Sequence, residues 1–167
     1  MALWQYDTYM LPRRDVDAYL VPNASVSKLN KDVRETLINT IIWGETIKTE
    51  EAISYIDSSL TRTSGWNEST TYWGPDDGSC VQISLYDEKA FGILVRFDLR
   101  SIDTTFNNFV VDLASRIDGV FVGQDGKLFE NIDGLKSALA NSNAYAFVLD
   151  PKEYLRSLAD SNQSNGD

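Results

Sequence analysis

Between Val81 and Leu99 the chain alternates twice over, and nothing else in it restricts the fold as tightly. Val81, Ile83 and Leu85 are interleaved with Gln82, Ser84 and Tyr86. After a connection at Asp87 to Ala90, Phe91, Ile93, Val95, Phe97 and Leu99 are interleaved with Gly92, Leu94, Arg96, Asp98 and Arg100. A period of two sends successive side chains to opposite faces of a strand. The pattern therefore predicts an antiparallel hairpin with one apolar and one mostly polar face. A second alternating stretch puts Trp4, Tyr6, Thr8 and Met10 on one face and Gln5, Asp7 and Tyr9 on the other, until Pro12 ends the run.

Helical spacing fills much of the remainder. After a polar connection from Pro22 to Asp32, Val33, Leu37 and Ile41 recur at that spacing, with Asp32 placed to cap them. Thr49 followed by Glu50 and Glu51 marks a helix start, because an N-cap oxygen and early carboxylates satisfy exposed amides. Ile53, Ile56 and Leu60 would form the buried stripe. Asp103 is placed to cap a helix whose stripe is Phe106, Phe109, Val110, Leu113 and Ile117, and Gly119 stops it. Gln124-Asp125-Gly126 signals a tight hairpin between Val120–Val122 and Lys127–Phe129. Next come a short helix at about Asp133 to Asn141, a strand at Tyr145 to Leu149, and a terminal helix from Pro151 through Leu158. Thr61 to Ser79 reads as a polar loop carrying Trp66, Tyr72 and Trp73, with turn chemistry at Gly74-Pro75-Asp76-Asp77-Gly78.

This order predicts an α+β fold: a largely antiparallel sheet with helices packed on one face. Residues 3 to 123 fit a β-α-β-β-α-β core of the ferredoxin-like kind. A length of 167 residues, 43% of them hydrophobic, suits one domain over residues 1–159, followed by a flexible tail over 160–167.

Composition closes off much chemistry. The chain has no histidine, which removes the commonest general base and the commonest zinc ligand together. Its single cysteine, Cys80, allows no intrachain disulfide and no thiolate cluster, and no histidine is present to activate it. A small, half-buried residue is the simpler reading. Neither a GxxxxGK[ST] phosphate loop nor a GxGxxG fingerprint occurs. Asp76-Asp77-Gly78 lacks the spaced acidic series of a calcium loop and reads as a turn. No cofactor and no metal is expected, and the chain is not expected to be an enzyme.

The formal net charge of −10 argues against nucleic-acid backbones and anionic membranes, both of which demand clustered Lys and Arg. It favours basic partners, although many soluble proteins are acidic for solubility alone. Residues 1–7 carry neither a basic n-region nor an apolar stretch, which places the expected location in the cytosol.

Two groups of side chains are candidates for partner binding. The first is the polar sheet face, where Tyr86, Arg96, Asp98 and Arg100 would sit with Gln82, Ser84, Gln5, Asp7 and Tyr9. Amphipathic aromatics and forked guanidinium groups suit a protein interface, whereas a solvated face of cross-strand charge pairs is the default state of such a sheet. The second is the aromatic set Trp66, Tyr72 and Trp73, whose rings either plug the core or anchor a partner. A weaker pairing of Asp7 with Asp98 would serve a carboxylate-dependent hydrolase.

Four punctuated stretches carry a resemblance: Trp4-Gln5-Tyr6 with Pro12, Tyr72 to Gly78, Arg96-Phe97-Asp98-Leu99-Arg100, and Asn141 to Pro151. Together they resemble small bacterial proteins of uncharacterised type, some of which are similar to immunity proteins of toxin–immunity systems. The resemblance implies a stoichiometric inhibitor that binds a cognate protein toxin in the cytosol, with no catalytic residues to carry over. A small ligand-binding or regulatory module is the alternative reading.

Overall fold

A computed structural model describes residues 2–20, 35, 47–64, 68–86, 89–124 and 126–164. The expected helix at Val33 to Ile41, its preceding connection and Trp66 lie outside the described residues. Along the chain run β1 (Gln5–Pro12), α1 (Arg13–Leu20), α2 (Ile47–Ser59), β2 (Arg62–Thr63), β3 (Thr70–Trp73), β4 (Cys80–Tyr86) and β5 (Lys89–Asp98). There follow α3 (Thr104–Arg116), β6 (Gly119–Gly123), β7 (Leu128–Phe129), α4 (Ile132–Ala140), α5 (Asn143–Leu149) and α6 (Pro151–Ser164).

The strands form one sheet in the order β2-β3-β4-β5-β1-β6-β7, with every neighbouring pair antiparallel. The protein is therefore α+β. Its central run β4-β5-β1-β6 has the strand order of a ferredoxin-like core, extended by β2 and β3 at one edge and by β7 at the other. The alternation in sequence sets the register. Tyr6, Thr8 and Met10 oppose Phe97, Val95 and Ile93; Val81 and Ile83 oppose Val95 and Ile93; Trp73 opposes Val81. Ala52 and Ile56 of α2, Phe106, Val110 and Leu113 of α3, and Leu135 and Leu139 of α4 close over this apolar face.

Helices do not keep to one face. Val16 of α1 joins Leu11, Val120 and Val122 in a second, smaller cluster on the reverse of the sheet. Pro12 ends β1 beside Gly119, and α1 begins at the next residue, which brings it back over that side.

Four other expectations shift. Thr49 lies inside α2 and is buried, because the helix starts at Ile47. The stretch from Thr61 to Ser79 carries two strands, β2 and β3, where the β-branched and aromatic run Thr70-Thr71-Tyr72-Trp73 pairs with β4. Residues 145–149 belong to helix α5: the Ser142 hydroxyl caps it by accepting from the Tyr145 amide at 3.1 Å. A short apolar run reads equally as strand or helix by periodicity, and here the cap decides. The terminal helix also continues past Leu158 to Ser164.

The turn before β4 depends on Gly74. Its φ is +97°, and a Cβ there would stand 2.6 Å from the Ser79 carbonyl oxygen. Asp103 caps α3 as expected, accepting from the amides of Thr105 and Phe106 at 2.8 and 3.1 Å.

Candidate partner-binding face

The sheet face opposite α2–α5 is where β1, β5, β4 and β3 bring their polar side chains together. Asp7 stands opposite Arg96, and Gln5 opposite Asp98. On the far side of β5, Cys80 faces Arg96 and Gln82 faces Leu94, while Tyr72 of β3 faces Gln82. Arg96 grips Asp7 with a forked pair, Nε to Oδ1 at 2.8 Å and Nη2 to Oδ2 at 3.1 Å. The Asp7 side chain is only 8% exposed and that of Arg96 21%, so this is a largely desolvated ion pair. The carboxylate pushes the Arg96 guanidinium pKa further up.

A second fork forms where β5 ends. Arg100 lies two residues beyond Asp98, where β5 ends, so it belongs to the exit turn and not to the strand. Its Nε and Nη2 bind the Asp98 carboxylate, Nη2 at 2.6 Å, and Nη2 also donates to the Asp77 carbonyl at 2.7 Å. The Trp4 ring lies beneath, with the guanidinium carbon 4.7 Å from its centroid. The Asp98 amide donates to the Ser79 hydroxyl at 3.0 Å, and the Leu99 amide to the Trp4 carbonyl at 3.0 Å. Three chain segments are thereby pinned together: the entry to β1, the β3–β4 turn and the exit from β5.

Hydrogen bonds from Arg100, outweighing burial, hold the Asp98 carboxyl below its usual range. Its folded pKa is lower than its unfolded one, near 3.9, so its contribution is present above that value and is lost as pH falls through the folded pKa. Urea unfolding of Asp98→Asn between pH 7 and pH 3 is therefore expected to lose less stability on acidification than the parent. Parallel losses in the two proteins would refute this.

The aromatic pair in β3 is buried. Trp73 is 0% exposed and lies on the core face; its Nε1 donates to Asp57 Oδ1 at 2.9 Å. Arg62 caps this arrangement, reaching Asp57 through Nε and Nη2, both at 2.6 Å, with its guanidinium 5.4 Å from the indole centroid. Trp73 is a core plug, not an exposed anchor: as part of β3 it packs on the apolar face beneath α2. Tyr72, on the other face, is also buried. Tyr86 pairs with Lys89 beyond a register shift between Ser84 and Leu85.

Of the residues picked from sequence, Arg96, Asp98 and Arg100 come together with Asp7 and Gln5. Trp4 and Asp77, the other partners of Arg100, were not foreseen. Extending the β1–β5 register by one position would have put Trp4 opposite Leu99, next to Arg100. Asp57 carries no such signal, since its approach to Trp73 depends on how α2 crosses the sheet.

The arrangement does not favour proton transfer. A general acid needs a carboxyl raised toward neutrality, whereas Arg100 moves Asp98 the other way and Asp7 is forked by Arg96. Burial pushes the Cys80 thiol up, which opposes the thiolate that nucleophilic chemistry requires. Among the described residues, no three His, Cys, Asp or Glu side chains converge as a metal site, and no helix is long and apolar enough to cross a membrane. No protein-family model, curated protein or solved structure matches the chain.

Proposed function

We propose that the protein is an immunity-type binding protein that neutralises a basic bacterial toxin by direct contact in the cytosol. One observation carries the reading. Among the described residues, every arginine has its guanidinium on a carboxylate of the same chain, from Arg13 on Asp118 and Glu130 to Arg156 on Glu153. The described guanidinium groups thus each face a carboxylate of their own chain, while the chain as a whole has ten more acidic than basic side chains. The charge left for a partner to meet is negative, which accelerates encounter with a basic protein and disfavours acidic ones. Inhibition by occlusion asks for no bond-making group, only a surface that competes with the toxin's own substrate.

Co-expression with the polypeptide encoded by the adjacent reading frame tests this. A stable complex and survival of cells that otherwise die are expected. Neither complex nor protection would overturn the proposal.

A further inference from the structure

Two of the large apolar side chains that remain exposed stand at one end of the sheet: Leu3 in the turn entering β1 and Ile102 in the segment leaving β5, each 49% exposed. Leu3 adjoins Trp4 in the chain and Ile102 follows Arg100 by two residues, and the Trp4–Arg100 stack is fixed by Asp98 and by the Asp77 carbonyl. Burial of tryptophan and arginine side chains dominates many protein interfaces, above all where the side chains are already held in one geometry. The exposed Asp76 and Asp77 belong to the turn that Arg100 holds through the Asp77 carbonyl, with Asp77 Oδ2 3.9 Å from Arg100 Nη2, and the exposed Asp103, which caps α3, follows Ile102 directly, so this end of the sheet carries an acidic rim. The cation at this end is already neutralised by Asp98, so the rim is net negative.

From this juxtaposition we infer that the Leu3–Trp4–Arg100–Ile102 end of the sheet is the docking surface for a basic polypeptide segment. The segment presents aliphatic side chains to Leu3 and Ile102 and lysine or arginine to Asp76, Asp77 and Asp103. Charge selects this occupant over a second copy of the chain, because two such rims would repel. The inference rests on the basic-partner reading and assigns it a place.

A short synthetic peptide of alternating lysine and leucine is the probe, titrated into isotope-labelled full-length protein and followed by NMR. The Trp4 indole resonance and the amides of Leu3 and Ile102 are expected to shift and saturate, while the indole of the buried Trp73 stays put. Leu3→Ser with Ile102→Ser is expected to weaken the peptide about tenfold, with the dispersed spectrum of the folded chain retained. A glutamate–leucine peptide is expected not to bind. Saturable shifts on another face, or an affinity indifferent to the two serines, would overturn this surface and leave the basic-partner reading intact. A lysine–leucine peptide that binds nowhere would overturn both.

Discussion

Trp73→Ala is expected to lower the free energy of unfolding by about 3–5 kcal/mol, a large share of what holds a domain of this size together. The indole has no exposed surface and sits among Val81, Ile83 and the α2 side chains, so truncation leaves a void that a sheet flanked by packed helices fills poorly. It also strips Asp57 of one of its donors. Trp73→Phe separates the two effects. It retains most of the apolar volume but loses the 2.9 Å hydrogen bond, and a cost of about 1–2 kcal/mol is expected. Urea denaturation followed by far-UV circular dichroism reads both, since the fluorescence of the replaced residue is no longer available. Equal costs for the two variants would mean that the hydrogen bond, not the packing, dominates.

The other large effect belongs to the Asp7–Arg96 fork. Arg96→Met keeps much of the side-chain length but leaves the Asp7 carboxylate buried opposite a thioether. About 3 kcal/mol should be lost, because an uncompensated buried charge is worse than no charge at all. Adding Asp7→Leu should restore most of that loss, since two apolar groups between β1 and β5 need no solvation. The sign of this rescue is diagnostic. Were the pair well hydrated, Arg96→Met would cost under about 1 kcal/mol and the second substitution would recover nothing.

These two sites mark what was legible in the sequence. The β4–β5 hairpin and β1 could be read because each strand has one face toward the core, so that a slip of one residue would expose Val95 or Met10. The cap at Asp103 was readable because capping is local chemistry. Local signals misled where two patterns share the same residues. Tyr145 to Leu149 has the apolar content of a strand, and only the Ser142 hydroxyl beside its first turn makes it a helix. The candidate site divides in the same way. Its Arg96 and Asp98 follow from strand parity, whereas Trp4 and Asp77 reach Arg100 from separate turns whose meeting is a tertiary event. Likewise, Trp73 read as a loop aromatic because nothing nearby in sequence announces its acceptor, Asp57, on a helix packed across it.

The position of β1 has a consequence for how the chain is made. It precedes the other strands of this sheet in the chain, yet it lies between β5 and β6, and 89 positions separate Asp7 from its partner Arg96. Until β5 is made its edges have no strand to pair with, and its second neighbour is complete only at Gly123. Closing loops of that length comes before any reward from the contacts they permit, which places such a chain among slower-folding topologies. A strand near the middle of the sheet is therefore the earliest of its strands in the chain, yet it can be enclosed on both edges only after residues 89–123 have been made.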